Sequence, residues 1–401
     1  MRIGFFTDTY TPQINGVVTS ISLFRRALIE RGHEVYVFAP TPEHVDDDRY
    51  TVRFKSLPFA FQPEMRLASP ISIEALRVLD KVDLDIVHSH DPFAVGLFGL
   101  NVARRHKIPY VHTYHTMYPE YVHYVWETRL TKKLAERLSR EFCEQCSSII
   151  APSTKVERYL RNWGVTVPID VVATGVDTVR YATVNQELIN ALAERASVRP
   201  GERLLLFMGR LGKEKNVELL LRALWHSRLP NTRLLIGGDG PNREALEALV
   251  AELDIGDRVS FLGYLKGDDA AAAYHLAHAF IFASTTETQG LVIGEAMAAG
   301  LPVIAVEDHA VEDFVISGRT GIITPGRPDD LGLAIDQLLG DEARRTDLAR
   351  SALVRASSFS IEHQAERLEH HYEHAIATHK PRSVFSRLAL PGRRTDRITP
   401  S

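Results

Sequence analysis

Two doubly wound α/β domains facing a central cleft are what this sequence predicts, and three observations carry that expectation. Short, almost continuously apolar runs alternate with helical patterns from residue 2 to about residue 360, the signature of parallel sheets covered on both faces. The alternation starts over near residue 200, after the polar stretch ATVNQELINALAERASVRPGER and its Pro200-Gly201 turn signal. The chain has 401 residues, enough for about two domains. Ligands of such sheets bind beyond the carboxyl ends of the strands, so the loops there are where function is sought.

The elements follow in order. RIGFFT reads as a strand, Val17–Arg31 as a helix and VYVFAP as the next strand. DIVHSH, a helix over Phe93–Arg105 and IPYVHTY repeat the unit, and a longer helix leads to SSIIAPS. In the second half RLLLFMG precedes a helix from Val217, RLLIGG one from Asn242, and AFIFAS one from Gly290; PVIAV follows. Ile361–Ala377 reads as a charged helix. Residues 380–401 carry Lys380, Arg382, Arg387, Arg393, Arg394 and Arg397 against Asp396, with three prolines, and read as a basic, disordered tail.

Composition narrows the class. Apolar residues make up 45% and charged residues 24%, an ordinary soluble balance. The net charge of −4 gives no support to nucleic-acid binding. Cys143 and Cys146 form a lone CEQC without the second pair a structural zinc site needs; two half-buried thiols in a reducing compartment are expected. MRIGFFTD enters a strand directly, with no signal-peptide pattern. No apolar run approaches the ~20 residues of a membrane span. The expectation is a cytoplasmic protein whose membrane contact, if any, is peripheral.

Four loops carry candidate chemistry. After RIGFFTD, TYTPQINGVVTSI places Gly16 where a helix opens, so backbone can approach a ligand and free N–H groups face it. After RLLLFMG, RLGKEKN sets Arg210 and Lys215 beyond a buried strand. Arg offers a planar fork and Lys a point charge to a diphosphate. No GxxxxGK[ST] is present, so this is not a P-loop. GGDGP (Gly237–Pro241) reads first as a tight helix-start turn and second as a ligand contact. In STTETQGLVIGEAMAAGLPVIA, Glu287 and Glu295 stand eight residues apart around a strand-to-helix junction. Carboxylates accept from the diols of an activated sugar. Glu287 would hold sugar hydroxyls and Glu295 a ribose, with the N–H groups of Gln289, Gly290 and Leu291 toward the diphosphate. A helix-terminal pairing of Glu295 is the competing reading.

These residues match a family. The E-x7-E pair, with GRLGKEKN, GGDGP and FLGY upstream, resembles the large retaining glycosyltransferase family 4, whose fold is GT-B, two Rossmann-like domains. The order holds across residues 1–360. FTDTYTPQINGVVTSI and YHTMYPEYVHYV look like the branch of 1,2-diacylglycerol 3-α-glucosyltransferases and related bacterial glycolipid synthases. The resemblance implies an acceptor domain over 1–178, a nucleotide-sugar donor domain over 179–359 and a helix at about 360–378 packing back on the first domain. It implies that Arg210 and Lys215 bind the diphosphate and stabilise the leaving charge, that Glu287 orients the sugar and Glu295 the ribose, and that Tyr264 and Leu265 receive the base. Gly16 would close on the diphosphate, and His115 in TYHT would lie near the reacting sugar. Where many relatives carry a Gly-Gly-rich loop, this chain has EDHAVEDF (Glu307–Phe314), so a role for Glu312 is open. No cofactor is required and no metal site is assigned; HSHD (His88–Asp91) is the nearest candidate, and Mg2+ would be at most stimulatory.

The implied partners are a UDP-sugar and a lipid acceptor. LPFAFQPEMRLASP (Leu57–Pro70) reads as an irregular apolar-aromatic loop able to dip into a bilayer. RLTKKLAERLSREF (Arg129–Phe142) is a basic amphipathic pattern with Leu130, Leu134 and Leu138 at helical spacing, a membrane-surface signature. The basic tail adds attraction to an anionic membrane surface, placing the protein peripherally on the inner face of the cell membrane. Each segment has a bland reading: a packed loop, a helix burying its leucines, a solvated end. The alternatives are a soluble acceptor such as a sugar or inositol phosphate, a GDP-mannose donor, or a non-catalytic nucleotide-sugar-binding protein. The intact Arg210, Lys215, Glu287 and Glu295 argue against the last.

Overall fold

A computed structural model of the protein describes residues 1–13, 15–41, 48–59, 62–121 and 129–381. The basic stretch from residue 382 onward lies outside the described residues, as do His123 and most of the YVHYV segment.

Near-continuous apolar runs form the buried strands as their composition requires. The first sheet is built from β1 (Arg2–Phe6), β2 (Glu34–Pro40), β3 (Thr51–Phe54), β6 (Ile86–Ser89), β7 (Tyr110–Thr113), β8 (Ser148–Ala151) and β9 (Ile169–Val171). Between them, β4 (Ser56–Phe59) and β5 (Gln62–Ala68) form a separate two-stranded ribbon. The second sheet holds β10 (Arg203–Met208), β11 (Thr232–Gly237), β12 (Val259–Gly263), β13 (Ala279–Phe282), β14 (Val303–Val306) and β15 (Gly321–Thr324).

Both large sheets are parallel and wound alike. The first runs β3-β2-β1-β6-β7-β8-β9 and the second β12-β11-β10-β13-β14-β15. In each, the chain moves outward from a central strand, then returns to its other side. The strand order therefore reverses between β1 and β6 and again between β10 and β13. Those two crevices, at the carboxyl ends of the strands, are where such folds bind ligands. The predicted fold class, two doubly wound domains of GT-B type, is the one observed.

The first domain is completed from the far end of the chain. Helix Ile361–Thr378 lays Ile361, Ala365, Leu368, Tyr372 and Ala375 into the cluster of Ile3, Phe5, Ile21 and Leu28. Its buried polar groups find partners in that domain. Tyr372 Oη pairs with His88 Nδ1 at 2.5 Å, and His371 Nε2 with Ser148 Oγ at 2.8 Å. Two backbone bonds, Val176 N–H to Phe359 O (2.8 Å) and Ile361 N–H to Val176 O (2.9 Å), fasten the returning chain beside the outgoing one.

Helix boundaries follow local chemistry. The first helix is Gly16–Glu30, one residue earlier than the apolar pattern indicated, because Asn15 caps it by accepting from Val18 N–H at 3.0 Å. Cys143 and Cys146 are free and fully buried, not half-buried; burial pushes the Cys143 thiol up to about 12.

Leu57–Pro70 corrects the expected irregular loop. It holds the antiparallel ribbon β4–β5, with Leu57 opposite Leu67. Pro58 argued against a strand, yet a two-stranded ribbon has a free edge on both strands, where proline is tolerated. Leu57 is 74% exposed and Leu67 60%. The basic helix is observed at Arg129–Cys143, and it too leaves Leu134 and Leu138 exposed while burying Ser139, Phe142 and Cys143.

Candidate active site

All strands of the second sheet point the same way, so the loops after β10, β11, β12 and β13 share one edge. Arg210 follows β10 by two residues; it is exposed, and its guanidinium pairs with no group among the described residues. Lys215 ends the short turn Lys213–Lys215, and its Nζ pairs with Glu287 Oε1 in the loop after β13. The two side chains are mostly buried, 23% and 19% exposed. The sheet thus joins a cation and a carboxylate that stand far apart in sequence.

The GGDGP turn is held backbone to backbone against the Arg210 loop. Gly209 N–H donates to Gly237 O and Leu211 N–H to Asp239 O, both at 2.9 Å. Gly238 has φ +153°, and a Cβ there would collide with Gly209 O. Close approach of two loops is what these glycines provide. Tyr264 and Leu265 follow β12; Tyr264 is 59% exposed, and Leu265 packs beside Gly237.

Gly290 caps helix Leu291–Ala298 with φ +81°, a left-handed conformation costly for any residue with a Cβ. Gln289, Gly290 and Leu291 donate no backbone N–H to a protein acceptor among the described residues. With the dipole of the helix behind them, they form an anion-receptive start. Glu295 lies one turn into this helix, not at its terminus, and accepts from Tyr274 Oη at 2.8 Å. Burial raises its carboxyl above the usual range, opposed by the tyrosine hydrogen bonds and the Arg180 charge. No ion pair at a helix terminus accounts for it.

Gly16 belongs to the first domain. A Cβ built there meets nothing within 4 Å and the φ is not left-handed, so no packing contact or strain within the protein requires the glycine. His115 follows β7 and pairs through Nε2 with His90 Nδ1 at 3.0 Å, its ring stacked on that of His90. Burial pushes His115 down to about 3; it is a neutral hydrogen-bonding group at pH 7.

Two acids of the first domain escaped the sequence reading as a pair. Asp8 follows β1 and Asp91 follows β6, the strands that flank the first crevice. Asp8 accepts from Val95 N–H (3.0 Å) and Gly96 N–H (3.3 Å) at the start of helix Ala94–His106. Asp91 Oδ2 accepts from Thr7 Oγ1 and Asp8 N–H, both at 2.9 Å. Burial first, then the Asp91 charge, raises Asp8 to about 7. Half of the signal was available in the sequence, an acid two residues beyond each of two strands; the adjacency of those strands was not.

In HSHD the first histidine is fully partnered within the protein. Both ring nitrogens of His88 are taken, by Tyr372 Oη and by Thr113 Oγ1 at 2.7 Å. Glu312, whose role the sequence left open, is exposed and pairs with His309 on its own helix at 2.9 Å. The acids of that segment that reach outward are Asp308 and Asp313, toward Lys155 and Thr154 of the first domain.

An exposed arginine, a Lys–Glu pair and free helix-start N–H groups at one edge of the second of two doubly wound parallel sheets fit a GT-B glycosyltransferase. The comparisons agree. Residues 14–180 match the model of Glycosyltransferase Family 4, and residues 190–354 that of Glycosyl transferases group 1. The "Alpha-monoglucosyldiacylglycerol synthase" of Streptococcus pneumoniae is 34% identical over 346 residues, 84% of this chain and 78% of that protein. A "GDP-mannose-dependent alpha-mannosyltransferase" of Mycobacterium tuberculosis is 30% identical over 81% of this chain and 84% of its own. Among solved structures, Anabaena Alr3699/HepE, in complex with UDP and glucose, superposes with a TM-score of 0.74 at 19% identity, covering 93% of this chain and 100% of that one. The chain belongs to glycosyltransferase family 4 and is a hexosyltransferase.

Proposed function

We propose that this enzyme moves glucose from UDP-glucose to diacylglycerol or a related membrane lipid, with retention of the anomeric configuration. The observation that carries the lipid acceptor is the surface of the first domain. Leu57 and Leu67 on the ribbon, Ile71 and Ile73 beside it, and Leu134 and Leu138 on the basic helix are all exposed. Other large apolar side chains, Trp225 and Val354 among them, are also exposed, but these six fall in two segments of one domain, one of them the basic helix, as a membrane-facing surface requires. No described helix is long and apolar enough to cross a membrane, so attachment on the inner face would be peripheral. The name of the pneumococcal relative, 34% identical, supports glucose and diacylglycerol.

Charge development sets the mechanism. Breaking the sugar–phosphate bond leaves negative charge on the diphosphate and positive charge on the sugar ring. Arg210, Lys215 and the N–H groups of residues 289–291 meet the first, and preorganised donors are the largest expected catalytic contribution. Donor binding divides the Lys215–Glu287 pair, Lys215 turning to phosphate and Glu287 accepting sugar hydroxyls. Glu295 and Tyr274 receive the ribose, and Tyr264 and Leu265 border the base. Gly16 leaves room for the diphosphate from the opposite domain. Neutral His115 donates near the sugar. The acceptor hydroxyl attacks the face the leaving group departs, and the departing phosphate oxygen takes its proton. On this reading the chain's own cations meet the developing charge, no metal is required, and Mg2+ would be at most stimulatory.

Sedimentation tests the acceptor class. The purified chain is expected to spin down with phosphatidylglycerol vesicles and less with phosphatidylcholine ones. Equal recovery in the supernatant for both, with transfer to an inositol or sugar phosphate, would replace the lipid by a soluble acceptor.

A further inference from the structure

The loop that presents Glu287 belongs to the second domain, yet the first domain grips it on both sides. Ser153 Oγ donates to Thr288 O. Lys155 Nζ donates to Thr285 O at 2.7 Å and to Asp308 Oδ2 at 2.7 Å. Between these two, Thr154 donates from its backbone N–H (2.8 Å) and its hydroxyl (2.7 Å) to Asp313. Next along the loop, Gln289 takes both backbone groups of Thr174: Oε1 accepts from its N–H at 2.8 Å and Nε2 donates to its carbonyl at 2.9 Å. Three successive first-domain residues thus hold the peptides flanking Glu287 and the segment Asp308–Asp313.

We infer that Ser153, Thr154 and Lys155 are positioning residues, a strap that sets the conformation of the Glu287 loop and makes it depend on contact between the domains. Residues 283–290 belong to no helix or strand, so no ladder fixes their backbone. Ser284 Oγ and Glu287 are tied within their own domain, to Glu214 O and Lys215, but the backbone carbonyls on either side of Glu287 are held from across the interface. Lys155 matters most because it is almost completely buried, with Asp308 as its one carboxylate among the described residues; the two side chains are 7% and 10% exposed. A buried ammonium that satisfies a loop carbonyl and a carboxylate together is strongly tied to one arrangement. Separation of the domains would release Thr285, Thr288 and Gln289 together, and with them the register of Glu287 against Lys215. The donor sugar would then be held in its reacting pose only when the acceptor domain is in place, which disfavours wasteful hydrolysis. The inference rests on the assignment of Glu287 to the donor sugar, but its structural half can be read without turnover.

The test uses the full chain with Lys155→Met, Lys155→Met/Asp308→Asn and Lys155→Arg. Hydrogen exchange of peptides covering 284–290 is expected to speed up in the first two variants. Transfer from UDP-glucose is expected to lose about 10²-fold in kcat, the scale of a misplaced reacting group, with a smaller change in donor KM. UDP itself, held by the diphosphate donors, should bind within a few-fold of wild type, while the extra affinity of UDP-glucose over UDP falls. The double variant restores thermal stability, since no uncompensated carboxylate remains, but not kcat, since Thr285 O stays unanchored. Lys155→Arg, which keeps a donor and a charge, recovers part of kcat. Wild-type kcat in folded Lys155→Met protein, or full recovery of kcat in the double variant, would overturn the strap. Unchanged exchange in 284–290 would overturn it as well. A wild-type chain without turnover on UDP-glucose, together with faster exchange in the variants, would leave the strap standing and remove the proposed donor.

Discussion

Asp8→Asn is expected to stabilise the protein increasingly as pH rises. Asp8 has its carboxyl raised from an ordinary value of 3.8 to about 7. An acid whose folded pKa lies above its unfolded one binds its proton more tightly in the native state, so ionising it opposes folding. The penalty is absent below the unfolded value, grows between 3.8 and about 7, and is constant above. One unit corresponds to about 1.4 kcal/mol, so the penalty rises from about 2 kcal/mol at pH 5 to about 4 kcal/mol at pH 8. The substitution removes the charge while keeping an oxygen for Val95 N–H. The stability difference between variant and wild type should therefore widen by about 2–3 kcal/mol over that interval. For a domain of this size that is roughly 5–10 °C in Tm. Thermal unfolding of both proteins at pH 5, 6, 7 and 8, at fixed ionic strength, reads it directly. A difference that stays constant with pH would refute the raised Asp8, and one that narrows would reverse its sign.

Three further outcomes are expected. Glu287→Ala and Lys215→Ala each keep the fold and lose about 10²–10³-fold in transfer, as loss of one preorganised electrostatic group does; wild-type turnover by a folded Lys215→Ala protein would remove that assignment. Gly290→Ala, at φ +81° with Ile293 Cδ1 3.3 Å from the new Cβ, costs about 1–2 kcal/mol from the backbone alone, measured by unfolding, and weakens UDP binding by calorimetry; an unchanged Tm would contradict it. Leu57→Ser with Leu67→Ser leaves Tm unchanged because both side chains are exposed, yet lowers recovery with anionic vesicles; unaltered recovery would count against the ribbon as a membrane contact.

How much of this was legible depends on where each interaction lives. RLLLFM and TRLLIG announce buried parallel strands because four or five of their six positions, glycine included, are apolar, whereas the helix start at Gly16 became clear only with its Asn15 cap. The ribbon at Leu57 was hidden because Pro58 excludes a central strand and the pattern alone does not reveal a free edge. Lys215 and Glu287 were each found as residues, but their pairing is a product of β10 and β13 lying side by side. Asp8 and Asp91 acquire their chemistry only from the adjacency of β1 and β6. Lys155 was the least visible. In sequence it is one lysine near a helix start, and its partners Thr285 and Asp308 lie in the other domain. The role of Glu312 was open in the sequence for the same reason: only folding shows that Asp308 and Asp313 are the acids of that segment turned toward the first domain.

The most direct test of the central claim is transfer of labelled glucose from UDP-glucose to diacylglycerol in phosphatidylglycerol vesicles, with the product identified by mass and its anomeric linkage by NMR. The account predicts a monoglucosyl lipid with an α linkage. A β-linked product would contradict retention. A product formed only from GDP-mannose, or only on a water-soluble acceptor, would contradict the assigned donor or acceptor.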